Sequence, residues 1–145
     1  MPDIAPSSAY EVTQDDRSMA LLAHFLQIVC WWMAPLVIFL LRRESPFVRF
    51  HALQALLLQI CLVIFWISGF AVFMVAMFIT MPTSGTPAHH EPPAVMIVFP
   101  IFWLLAMSSW ATVLIIAVLY GIKAGRGEWA AYPVIGRMAR RLLNT

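Results

Sequence analysis

Apolar positions in this chain gather into three long blocks. No Asp, Glu, Lys or Arg occurs from Leu21 to Leu41, from Ala52 to His90 or from Pro92 to Ile122, runs of 21, 39 and 31 residues. A hydrocarbon core about 30 Å thick is crossed by about 20 helical residues, and only helices or closed barrels satisfy their backbone groups inside it. Stretches such as Leu56-Leu57-Leu58 and Leu114-Ile115-Ile116 lack the alternation of a barrel strand. The pattern therefore predicts an all-α polytopic membrane protein: three transmembrane helices plus a short C-terminal amphipathic surface helix.

Residues 1–12, with Pro2, Pro6 and no periodicity, read as a flexible tail, and residues 13–145 as a single membrane domain. The first helix is expected over about 13–41. Thr13 followed by Asp16 three positions on makes a capping-box start, Arg42-Arg43-Glu44 marks the far end, and Pro35 predicts a kink. Its length and the acidic residues before it exclude a cleavable signal peptide.

The second helix is expected over 46–80, opened by Ser45 as cap and Pro46 in the first turn. Its length of about 52 Å exceeds the bilayer core, so its first turns should lie at the interface, with a bend at Ser68-Gly69. A Pro-, Gly- and Ser-rich turn follows, then a third helix over 94–122 with a possible kink at Pro100. On the surface helix, 133–143, Val134, Ile135, Met138 and Leu142 fall on one side and Arg137, Arg140 and Arg141 on the other.

At 62% hydrophobic and 11% charged residues, the chain is neither an ordinary soluble domain nor a disordered one. The cations place it in the membrane. Arg17 precedes the first helix, Arg42, Arg43 and Arg49 surround the first loop, the second loop has none, and Lys123, Arg126, Arg137, Arg140 and Arg141 follow the third helix. With three crossings of a bacterial inner membrane, the positive-inside rule puts the N-terminus outside and the C-terminus in the cytoplasm. The expected partners are the bilayer itself, with anionic lipid at the cytoplasmic face held by Arg137, Arg140, Arg141 and Trp129, and a second copy or a larger membrane complex. Charge this sparse does not suit nucleic acid.

Polar residues inside the blocks are the candidates for function: His24 and Gln27 on the first helix, His51, Gln54 and Gln59 on the second. Three crossings put His24 toward the outer leaflet and His51 toward the inner, which predicts separate interhelical hydrogen bonds and no shared site. Cys30 and Cys61 read as small apolar side chains, His89-His90-Glu91 as a solvated loop, and Ser108-Ser109 as hydroxyls without a base on their own helix. No catalytic residue, cofactor or metal is expected, and an enzyme is not. Ala117, Gly121 and Gly125 form a stripe of small residues suited to close helix packing.

Met19-Ala20-Leu21-Leu22-Ala23-His24, Ser45-Pro46-Phe47-Val48-Arg49-Phe50-His51-Ala52-Leu53-Gln54-Ala55-Leu56, Gly121-Ile122-Lys123-Ala124, Gly127-Glu128-Trp129 and Tyr132-Pro133-Val134-Ile135-Gly136 together resemble an uncharacterised bacterial membrane protein family. That family is related to the chloroplast inner-envelope translocon channel subunit and to the magnetosome proteins MamF and MmsF. The resemblance covers about residues 19–141. It implies a membrane domain of three or four helices, with no catalytic residue to carry over. The leading expectation is a structural or interaction module of the membrane; the alternatives are a channel or protein-translocation component and a compartment-shaping protein of the magnetosome type.

Overall fold

The structure, a computed structural model, describes residues 10–80 and 95–143. It has five helices: α1 (Gln14–Cys30), α2 (Met33–Leu41), α3 (Pro46–Thr80), α4 (Val95–Gly125) and α5 (Ile135–Leu143). The helix starts follow the local signals. Thr13 Oγ1 accepts from the Asp16 backbone N–H at 3.1 Å, while the Asp16 carboxylate accepts from the backbone N–H and the hydroxyl of Thr13 at 3.1 and 2.7 Å, a complete capping box. Ser45 caps α3, its Oγ accepting from Val48 N–H at 3.1 Å, with Pro46 in the first turn where a missing donor costs nothing.

The first apolar block does not form one helix. α1 stops at Cys30, Trp31 takes φ 53°, and α2 starts at Met33. Pro35 explains the place: its ring collides with the carbonyl four residues back, that of Trp31, and it lacks the N–H that would have bonded there. A proline in the first turn of a new helix meets neither problem, so the kink expected at Pro35 becomes a full break upstream. α2 then folds back along α1. Ile38 packs with Ala23, Val48 and Ala52, and Arg42 pairs with Asp15 at 2.7 Å.

Among the described residues two helices, not three, are long and apolar enough to cross a membrane, over Pro46–Ile79 and Met96–Gly125. α3 is one helix through Ser68-Gly69, and α4 is one helix through Pro100. α1 packs against both. A Cβ on Gly121 would come within 2.5 Å of the Phe25 ring and one on Gly125 within 2.8 Å of Leu21, while Ala117 is buried. The small-residue stripe is thus consumed inside the chain, admitting α1. Beyond the end of α1, α3 and α4 touch through Phe102, whose ring lies 5.4 Å from Trp66 and 4.9 Å from Phe73.

After α4 the chain turns at Gly127, φ 83°, a conformation that suits glycine. A link then leads to α5, which packs on the start of α3 through Phe50, Leu53 and Ala139. α5 begins two residues later than expected, at Ile135. Its partner surface is the small side, Gly136 and Ala139, leaving Val134, Met138 and Leu142 exposed in a row beside Arg137, Arg140 and Arg141.

Tyr10 belongs to the segment expected to be flexible, yet its hydroxyl donates to Asp16 Oδ2 at 2.6 Å and meets Ser45 Oγ at 2.8 Å. Residues 1–9 of that tail, and the turn with His89, His90 and Glu91, lie outside the described residues. The approach to α1, the α2–α3 turn and the link after α4 therefore share one end of the molecule, and Arg17 lies against Gly127. All nine cations of the chain lie in these segments, in the helix turns that adjoin them or on α5. The opposite-sided ends expected from three crossings do not follow from a folded-back α1–α2 pair.

Candidate functional site

At this end the candidate polar residues converge. α1 presents His24, one turn of α3 carries His51 and Gln54, and the link contributes Tyr132 and its own backbone. His24 Nε2 lies 3.1 Å from His51 Nδ1, the Tyr132 hydroxyl 2.9 Å from His24 Nδ1, and His51 Nε2 3.1 Å from the carbonyl oxygen of Glu128. The two histidines expected in opposite leaflets form one site. That expectation depended on a first helix that crosses the bilayer, and α1 instead starts beside the α3 N-terminus.

The carbonyl fixes every proton in the row. Glu128 O can only accept, so His51 donates through Nε2 and accepts at Nδ1; His24 then donates through Nε2 and accepts at Nδ1 from the Tyr132 hydroxyl. With both imidazoles neutral, every ring nitrogen is paired. That is the arrangement burial favours, since a charge here would lack a counter-ion. Burial also pushes the Tyr132 phenol up, with Tyr120 adding to it.

Gln54 closes the site from the other side. Its amide nitrogen donates to Ala130 O at 3.2 Å and its oxygen accepts from Tyr132 N–H at 2.7 Å, as a neighbouring strand would. Trp129 keeps an exposed edge while it packs edge-on to Phe47 at 5.1 Å and against Phe50 at 5.6 Å, and Tyr120 meets Tyr132 edge-on at 4.3 Å. Deeper in, Gln59 donates to the backbone carbonyl of Gln27 at 3.3 Å. The Gln27 side-chain amide is buried and has no hydrogen bond among the described residues.

A row of neutral, mutually satisfied groups grips the link at residues 128–132. Among the described residues, no group of three His, Cys, Asp or Glu side chains comes together as a metal site, and Cys30 and Cys61 are free thiols. Ser108 and Ser109 turn their hydroxyls onto the carbonyls of Leu104 and Ala106. Arg137, Arg140 and Arg141 stay exposed on α5, Arg140 over the Phe50 ring. Sequence reasoning chose His24, His51 and Gln54 but missed Tyr132 and the link carbonyls of Glu128 and Ala130 as their partners. Tyr132 beside Pro133 in the link was the available signal.

The profile of the magnetosome magnetite crystal formation protein family matches residues 15–139, from the first turn of α1 to the middle of α5. No curated protein and no solved structure matches.

Proposed function

Because the chain belongs to the magnetosome magnetite crystal formation protein family, we propose that it is a non-enzymatic structural module in the membrane of a magnetosome-type compartment. Its basic end faces the cytoplasm. The observation that carries this reading is the gathering of all nine cations, with five carboxylates, into segments at one end of a two-crossing fold. Positive residues stay cytoplasmic, so both the approach to α1 and α5 belong inside, at the inner membrane or a compartment derived from it. Val134, Met138 and Leu142 then enter the cytoplasmic leaflet while Arg137, Arg140 and Arg141 meet anionic headgroups, each basic side chain contributing about 1 kcal/mol. Association with a second copy or a larger complex would use the exposed faces of α3 and α4, since the small-residue stripe is already occupied.

The translocon-type channel reading has less in its favour. Of its polar candidates, His24, His51 and Gln54 are bonded to one another and to the link. The test is complementation in a magnetite-forming bacterium deleted for its own family members. The tagged chain should restore crystal formation and reside in the compartment membrane. Correct membrane insertion without any restoration would contradict the proposal.

A further inference from the structure

α1 ends at Cys30, about halfway along its two long neighbours, and above it α3 and α4 have no third helix between them until their rings meet at Phe102. The space left is a cavity of about 550 Å³, floored by the last turn of α1 and walled by α3 and α4. Volumes of about 300–1,000 Å³ are those of small-molecule sites. Four of the chain's six tryptophans line it: Trp31, Trp66, Trp103 and Trp110. Trp66 and Ser109 stand near the midpoints of the apolar blocks of α3 and α4, which places the cavity in the middle of the bilayer.

Hydrocarbon chains fill such a space poorly in one respect. Indole N–H groups are donors that find partners when removed from water; Trp31, Trp103 and Trp110 are about half exposed along the cavity wall, and among the described residues none of the four indoles has a hydrogen bond. Gln27 lines the floor of the cavity, and its buried amide, also without a hydrogen bond, adds a donor and an acceptor there. Phospholipid ester carbonyls reside at the interface, about half a hydrocarbon thickness, ~15 Å, away. The complementary molecule is therefore apolar, lives in the bilayer midplane, stacks on aromatic rings and carries carbonyl acceptors. We propose that this cavity binds a lipid-soluble quinone, its ring among the four indoles and a carbonyl oxygen accepting from an indole N–H or the Gln27 amide.

The test uses the full chain in lipid nanodiscs. Tryptophan fluorescence is titrated with a decyl-substituted benzoquinone, with a decyl dimethoxybenzene as the carbonyl-free analogue. Quenching should saturate, the analogue should compete about tenfold more weakly, and Ala106→Phe, which fills the cavity from α4, should abolish saturation. Gln27→Leu should weaken binding while leaving helix content by circular dichroism unchanged, which separates loss of the ligand from loss of the fold. Quenching that rises linearly with quinone in wild type and Ala106→Phe alike would mean a lipid-filled cleft and overturn the proposal. Equal competition by the carbonyl-free analogue would overturn it too.

Discussion

At the basic end, helices from every part of the chain are joined by directional bonds: Tyr10 to Asp16 and Ser45, His24 to His51 and Tyr132, Gln54 to the link. Beyond Trp66 on α3 and Trp110 on α4, the same two helices meet through Phe73 and Phe102 and expose Phe70, Val72, Phe78, Met96 and Ile97. Both regions are apolar in composition, yet only one is organised by polar groups. Lipid offers no hydrophobic force to press helices together, so a chain that needs a fixed arrangement must use close packing and hydrogen bonds. Here those are concentrated where α1, α3 and the link converge, and the far halves of α3 and α4 remain available to lipid, ligand or another protein.

The comparison predicts unequal costs for changes made in the two regions. His51→Ala removes the middle of the row, stranding a donor on His24 and the Glu128 carbonyl, and should lower stability by about 2–4 kcal/mol. Phe73→Ala, at the far end, loses one stacked ring and should cost about 1 kcal/mol. Unfolding in bicelles by steric trapping measures both, and equal losses would erase the distinction. Gly121→Ala comes next: its new methyl meets the Phe25 ring, and displacing α1 should cost about 1–3 kcal/mol.

Asp16 gives a pH-dependent version of the same contrast. Burial acts to raise its pKa, but hydrogen bonds from Tyr10, Ser45 and Thr13 outweigh it and hold the carboxyl at about 2, below the ordinary 3.8. A carboxyl depressed on folding stabilises the folded state above pH 3.8 and loses that contribution as pH falls toward 2. Asp16→Asn should therefore be less stable than wild type by about 1–2 kcal/mol at pH 6, with the gap closing below pH 3.8. The smallest effect, of opposite sign, is expected at Gly69, where nothing lies within 4 Å of an added Cβ; Gly69→Ala should be neutral or stabilise by up to about 1 kcal/mol.

Much of this fold was legible because its signals are local. Thr13 with Asp16, and Ser45 with Pro46, mark helix starts through bonds made within three residues, and both helices begin where those residues put them. The hairpin was not legible from block length, because 21 uncharged residues, Leu21 to Leu41, satisfy the requirement for one crossing as well as for two short helices. Pro35 held the clue, four residues after the Trp31 carbonyl it would strike. The polar node failed for the same reason: which leaflet His24 occupies depends on the number of crossings, a property of the whole chain. Tyr132 contacts His24 across 108 positions, a distance over which no spacing rule operates. Ala117, Gly121 and Gly125 stand four apart as small residues, but spacing alone does not say which helix approaches; in the structure it is α1.

The most direct test of the folded-back α1–α2 pair is cysteine accessibility in intact cells. With Cys30 and Cys61 replaced by serine, single cysteines at Glu11 and Glu44 flank the pair and are probed with a membrane-impermeant maleimide. The structure predicts that both positions are labelled from the same side, protected in intact cells and reactive after permeabilisation. Labelling of Glu11→Cys from outside, with Glu44→Cys reactive only after permeabilisation, would restore a crossing by the first apolar block and contradict the account.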